Sequence, residues 1–210
     1  MKVLGISGSP RKKGTTSELV KSILDFTGIE TEYITLAGKN IGPCRYCLAC
    51  AKDNVCKVKD YMGEIRLKII EADAYVIGGC NMWSTLNGMT HNLMERFFQF
   101  HHHGSSPIAG KPGIAVGVGG GSGEPPAALI TSFFQNFGIK PLGSITAQGA
   151  FACYLCGYGN KCRVSTVQEF LDENGEIDMS YKPELEKQEE VLVRARELGQ
   201  KLSSYLTKSV

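Results

Sequence analysis

Four cysteines fall within thirteen residues, Cys44, Cys47, Cys50 and Cys56, in the spacing C-x2-C-x2-C-x5-C. So tight a run points several thiolates at one small volume. That suits an iron–sulfur cluster of the [4Fe-4S] type better than a single tetrahedral ion. Zinc sites more often bring two C-x2-C pairs together across a longer span. Disulfides or buried free thiols are the alternatives, but thiols this dense rarely serve packing alone. A second group, Cys153, Cys156 and Cys162, repeats C-x2-C-x5-C. With Cys80 it totals four sulfurs, enough for a second metal site, set against packed thiols or a disulfide. His101, His102 and His103 invite a metal reading too. They read better as a solvated loop at a helix C-terminus, where the dipole favours positive charge.

A second candidate for chemistry is the stretch from Ser7 to Ser17. It follows an apolar strand, Lys2–Ile6, and precedes a helix from about Thr16 to Phe26, with Leu19, Val20, Ile23 and Leu24 on one face. A helix N-terminus presents unpaired N–H groups and partial positive charge, which attract phosphate. Hydroxyls of Ser9, Thr15, Thr16 and Ser17 add hydrogen bonds, Arg11 adds a charge-assisted one, and Gly14 lets the backbone turn. The loop is not G-x-x-x-x-G-K-[ST], which argues against a nucleoside triphosphatase. Nor is it G-x-G-x-x-G, which argues against a dinucleotide site. A hydroxyl-rich loop suits a terminal monophosphate such as that of FMN, the alternative being an ordinary capped loop.

The rest of the chain alternates strand and helix. Strands are expected at Thr31–Leu36, Ala74–Ile77, Gly113–Val118 and Lys140–Ala147. Helices are expected at Tyr61–Glu71, Gly88–Phe100, Pro125–Phe137 and, closing the chain, Pro183–Tyr205. Five strands separated by helices imply an α/β fold with a parallel, doubly wound sheet. A Cys-rich loop (38–60) follows the second strand, and a Cys-rich insertion (149–174) follows the fifth. With 210 residues and 42% hydrophobic content, the chain reads as one domain, 1–210. A net charge of +2 offers no basic stripe for nucleic acid. The short apolar start is no signal-peptide core and no stretch reaches membrane-spanning length, so a cytoplasmic protein is expected. There, eight cysteines favour metal or redox work over cross-links.

Taken together, these residues resemble the NADPH-dependent FMN reductase group of flavodoxin-like proteins, and specifically its iron–sulfur flavoproteins. Gly-Ser-Pro-Arg-x-x-Gly-x-Thr is matched at Gly8 to Thr16, and the compact cysteine motif at Cys44, Cys47, Cys50 and Cys56. A third element appears as Cys80-Asn81-Met82-Trp83 with Gly88 and Glu95-Arg96 in register; the family has Pro and Tyr where Cys80 and Met82 stand. A fourth, glycine-rich element is matched at Gly117 to Gly123. The resemblance covers roughly 1–148 and implies a flavodoxin-like sheet of order 2-1-3-4-5.

In an open parallel sheet, ligands bind outside the carboxyl ends of strands where strand order reverses, here between the first and third strands. The loops available are Ser9–Ser17, Asn81–Leu86 and Gly119–Gly123. The resemblance implies the ribityl phosphate on the first and the isoalloxazine on the other two. Met82 and Trp83 would pack on the ring, with Asn81, Ser84 and Leu86 around them. Gly119, Gly120, Gly121 and Gly123 would let backbone amides approach it. The resemblance also implies a homodimer or dimer of dimers that brings the cluster near the partner's FMN. The expected function is to carry electrons between a low-potential donor, such as ferredoxin or NAD(P)H, and an acceptor through FMN and a [4Fe-4S] cluster. No acid–base residue or nucleophile is required. An NAD(P)H-dependent FMN or quinone oxidoreductase with a structural or absent cluster is the closest rival, and a redox-sensing or zinc-binding module the non-enzymatic one.

Overall fold

Successive side chains of a strand point to opposite faces, so a parallel sheet apolar on both sides must be covered on both. The computed structural model of this chain describes residues 1–102, 106–158, 161–171 and 175–208. Its parallel strands are β1 (Lys2–Ser7), β2 (Glu30–Thr35), β3 (Ala74–Met82), β5 (Pro112–Gly119) and β6 (Lys140–Gln148), in the order β2-β1-β3-β5-β6. That is the expected flavodoxin-like order 2-1-3-4-5, renumbered by a short extra strand, β4 (Thr85–Leu86), which folds back antiparallel on the end of β3.

Val3, Ala74, Val76, Ile114 and Val116 face helices α1 (Thr15–Asp25) and α6 (Glu189–Lys208), meeting Leu19, Val20, Ile23, Ala195, Leu198 and Leu202 in one apolar layer. Leu4, Ile6, Tyr75, Ile77 and Ala115 face the other way. They pack on α2 (Tyr61–Glu71), α3 (Gly88–Arg96) and α4 (Glu124–Asn136) through Ile65, Ile69, Leu93, Ile130 and Phe134.

Three elements depart from expectation. β3 runs on to Met82 because Gly78 and Gly79 pair with Val116 and Gly117 in the ladder. A Cβ on Gly78 would lie within 3 Å of Val20 and Thr16, so that glycine is a site of close packing and not of a turn. The helix after Gly88 tightens into a 3-10 turn at Phe97–Phe100. The closing helix starts at Glu189, later than the expected Pro183, after a 3-10 turn at Leu185–Lys187. Gln188 breaks the run because its amide accepts from the Gln148 N–H and donates to the Gln148 carbonyl, both at 2.9 Å.

The glycine loop after β5 turns back on itself. A Cβ on Gly117 would stand 2.0 Å from the Gly123 carbonyl oxygen and 2.7 Å from the Ala127 nitrogen, both backbone atoms with nowhere to move. Gly117→Ala is therefore expected to cost about 1–3 kcal/mol, read as a lowered denaturant midpoint. A variant as stable as the parent would show that the loop opens freely.

Candidate functional site

The cysteine loop between β2 and α2 is organised by one side chain of α3. Arg96 is 1% exposed and Asp60 3%, although the pair carries two formal charges. Arg96 Nη1 donates to Asp60 Oδ2 at 2.5 Å and Nη2 to Asp60 Oδ1 at 3.1 Å, a bidentate fork. Nη1 also donates to the Gly42 carbonyl at 3.1 Å, where the loop begins. Asp60 in turn accepts from the Gly42 N–H and caps α2 by accepting from the Met62 N–H, where the loop ends. Burial alone would raise the Asp60 carboxyl, but Arg96 and these N–H donors hold it below the usual carboxylate range.

Positions three, four and seven apart share a helix face, and the polar face of α3 and its 3-10 extension is given to this loop. Asn92 Nδ2 donates to the Ile41 carbonyl, Glu95 accepts from the Cys44 N–H, and Gln99 accepts from the Cys56 N–H. Tyr46 stacks on Phe98, and His102 meets Phe98 edge-on.

Three of the sulfurs meet nitrogen atoms. Cys44 Sγ accepts from the Tyr46 N–H at 3.5 Å, Cys56 Sγ accepts from Arg96 Nη2 at 3.3 Å, and Cys50 Sγ lies 3.2 Å from His102 Nε2. Burial pushes the Cys50 thiol up, and the neighbouring Cys56, Cys44 and Cys47 add to the rise. Tyr46, Leu48 and Asn54 adopt left-handed φ of 48°, 57° and 55°. Such residues cost free energy without glycine, and the concave runs of backbone N–H that they create favour anions, iron–sulfur centres included. All eight cysteines are free thiols. Among the described residues no three of the His, Cys, Asp and Glu side chains are arranged to hold a metal ion. The donor set nonetheless fits a thiolate-held cluster in its chemistry, with four cysteines on one loop, N–H groups directed at two of the sulfurs and a histidine nitrogen beside a third.

His102 belongs to this cysteine loop and not to solvent, whereas His101 is exposed and His103 lies outside the described residues. In the insertion, Gly159, Asn160 and residues 172–174 also lie outside them. Cys153 and Cys156 of the second cysteine group share one helical turn. Cys80 is hydrogen-bonded by Ser9 under Arg11, while the Cys153 thiol meets the Thr166 hydroxyl at 3.4 Å and is lowered by it.

The three loops at the β1/β3 crossover come together. Asn87, 4% exposed, holds them from beneath: Nδ2 donates to the Gly8 carbonyl, and Oδ1 accepts from the Cys80 N–H and the Thr90 hydroxyl. Asn81 Nδ2 donates to the Ser122 carbonyl, joining the hairpin to the glycine loop. Arg11 Nη1 donates to the Ala150 carbonyl. Gly14 caps α1 in extended conformation with no side-chain hydrogen bond, which leaves the helix start open for an anion. Ser17 is turned inward on Ser7, Thr16 is buried, Ser9 accepts from the Arg11 N–H, and Thr15 is half-buried beside a cavity of about 530 Å³ shared with Arg11, Lys13 and Lys182.

Met82 pairs with Thr85, so Trp83 and Ser84 form a two-residue hairpin turn with φ of 54° and 62°. Such turns favour Asn-Gly; here they carry a tryptophan that is 96% exposed. Leu86 is buried, Gly119, Gly120 and Gly123 are packed against neighbouring atoms, and Gly121 lies open at the loop tip.

The model of a family described as NADPH-dependent FMN reductase matches residues 1–151. The chain belongs to that family. It is a flavin-dependent oxidoreductase, and the matched segment contains the three loops and the cysteine run. An iron–sulfur flavoprotein of Methanocaldococcus jannaschii is 36% identical over 140 residues, 64% of this chain and 72% of that one. A second from the same organism is 33% identical over 149 residues, covering 68% and 75%. One from Archaeoglobus fulgidus is 31% identical over 145 residues, covering 67% and 74%. Among solved structures, RosB with its bound intermediate 8-demethyl-8-formylriboflavin-5'-phosphate superposes with a TM-score of 0.65 at 15% identity, covering 99% of this chain and 81% of that one. That likeness is one of fold.

Sequence reasoning missed Asp60, Asn87, Asn92, Gln99 and His102. Only the i, i+3, i+4, i+7 spacing of Asn92, Glu95, Arg96 and Gln99 on an otherwise apolar helix signalled a polar face with a partner.

Removing one member of a buried pair strands the other charge, so Asp60→Asn is expected to cost about 3–5 kcal/mol at neutral pH. The folded-state pKa of Asp60 lies below its unfolded value. Its contribution is therefore complete above the unfolded value of roughly 3.9 and is lost as pH falls through the folded one. Chemical denaturation of parent and variant should show a gap that is full at pH 7 and closes at lower pH, below about 4. A gap independent of pH would contradict the assignment.

Proposed function

We propose that this chain binds FMN on the loops Ser9–Ser17, Asn81–Leu86 and Gly119–Gly123. A [4Fe-4S] cluster sits on Cys44, Cys47, Cys50 and Cys56, and the protein carries electrons between a low-potential donor and an acceptor. The carrying observation is the cysteine loop: four cysteines within thirteen residues, N–H donors directed at the sulfurs of Cys44 and Cys56, a histidine nitrogen beside that of Cys50, and a buried ion pair fixing both ends. The names of the Methanocaldococcus and Archaeoglobus relatives support the same reading.

FMN supplies chemistry in one- or two-electron steps, and an iron–sulfur cluster exchanges single electrons. The residues' tasks follow from their positions. The open start of α1 and Arg11 hold the phosphate by N–H donors and charge. Asn81 and Asn87 fix the spacing of the loops, and Trp83 and Met82 offer apolar surface to the ring. Arg96, Asp60, Glu95 and Gln99 orient the cysteine loop. No side chain is asked to act as nucleophile or general base. A ferredoxin or NAD(P)H serves as donor. A second copy covers the apolar groove of about 520 Å³ that Cys44, Tyr46, Phe98, Leu129 and Phe133 line beside the cysteine loop, giving the homodimer. Among the described residues no helix is long and apolar enough to cross a membrane, and we place the protein in the cytoplasm.

Trp83 is the chain's one tryptophan, so its fluorescence reports on the hairpin. Titrating flavin-free protein with FMN should quench most of that emission at saturation, and Trp83→Ala should weaken FMN binding about tenfold, a loss of about 1.4 kcal/mol. Emission that stays unchanged while FMN binds would place the flavin elsewhere. For the cluster, Cys47→Ala should abolish iron incorporation and leave FMN binding intact, whereas Cys156→Ala should keep both. Full iron content in Cys47→Ala would overturn the ligand assignment.

A further inference from the structure

Arg96 has donors to spare after anchoring the loop, and their direction points to a role in electron transfer. A guanidinium is planar and carries five N–H donors in a fixed fork. The end of the fork, one hydrogen each from Nη1 and Nη2, is taken by the two oxygens of Asp60. The other Nη1 hydrogen goes to the Gly42 carbonyl. What remains is the side edge, where Nε–H and the second Nη2 hydrogen project together. Nη2 on that edge meets Cys56 Sγ at 3.3 Å, and Nε is a buried donor with no protein partner. A buried unpaired donor carries a desolvation cost of about 1–3 kcal/mol unless something accepts from it.

We propose that the side edge of Arg96 is a built donor for the iron–sulfur cluster, raising its reduction potential by hydrogen bonding at Cys56. This rests on the cluster assignment above and goes beyond it. Reduction adds one electron and no atoms, so the sulfurs gain negative charge. N–H donors directed at them stabilise the reduced form more than the oxidised one. Burial strengthens the effect, because no water competes for the donors. Asp60 cancels most of the charge of Arg96 at a distance, so the influence is local to the Cys56 side and spares the flavin. Lysine would keep the positive charge but lose the parallel donors. That separates the hydrogen-bonding role from a simple charge effect, and a coupling read in the unaltered protein separates it from anchoring. Arg96 is a positioning residue here, acting through Cys56.

The test uses the full chain, labelled with 15N in the arginine guanidinium groups, reconstituted anaerobically with iron, sulfide and FMN. Pulsed EPR of the singly reduced cluster should show coupling to an arginine 15N. That coupling should be lost in Arg96→Lys and retained in Arg45→Lys, which alters an exposed arginine of the same loop. Redox titration of Arg96→Lys should show cluster reduction disfavoured about tenfold, or 59 mV for a one-electron couple, with the FMN potential unchanged. Wild-type protein with a cluster but no arginine coupling overturns the inference, and needs no variant to fold. So does a coupling that survives Arg96→Lys, or an unaltered cluster potential in that variant. Wild-type protein that takes up FMN but no iron sinks the cluster assignment itself, and the inference with it; the iron assay tells the two failures apart.

Discussion

The ion pair between Asp60 and Arg96 is the constraint on which the cysteine loop depends. Taking both charges out of water costs several kcal/mol per ion, and their attraction repays it only where geometry is good and the remaining donors are used. Here Asp60 takes the fork, a loop amide and a helix cap, and Arg96 adds the loop carbonyl and a cysteine sulfur. An apolar pair of equal volume would serve stability as well. It would not hold residues 42 and 60 at fixed positions while presenting donors to thiols. The pair thus supplies geometry more than stability, which is what a loop with three left-handed, non-glycine residues requires.

The loops at the β1/β3 crossover obey a related rule with neutral groups. Parallel strands end together on one edge, and the crossover between β1 and β3 opens a crevice there. Asn87 spans its floor with a side chain that donates to one strand end and accepts from the other. Asn87 precedes α3 and Arg96 ends it, so one short helix braces both the crossover loops and the cysteine loop.

How much of this could be read from the chain follows from distance along it. Strands and helices carry their signal locally, in the alternation Val3/Leu4 or the spacing of Ala195, Leu198 and Leu202, and their expected positions match the structure closely. The cysteine run and the loop Gly8–Thr16 are local as well, and they point to the site before any fold is known. The expected strand Ala74–Ile77 stops short of Gly78 and Gly79, whereas the structure carries it on to Met82, with Thr16 and Val20 packed where a side chain on Gly78 would stand. Arg96 sits on a polar helix face that the spacing marks, but its pairing with Asp60, 36 residues away, and that of Asn87 with Gly8, 79 away, leave no local trace. His102 read as solvated because its partner, Cys50, lies 52 residues earlier. Sequence spacing marked what the chemistry needs, and tertiary structure alone revealed what holds it in place.

The proposed pairing of FMN with a thiolate-held iron centre makes a single demand that can be weighed directly. Protein prepared without air should be brown and should contain FMN together with iron and sulfide in equal amounts. Yellow protein with flavin and no iron, or colourless protein carrying zinc, would contradict the account at its centre.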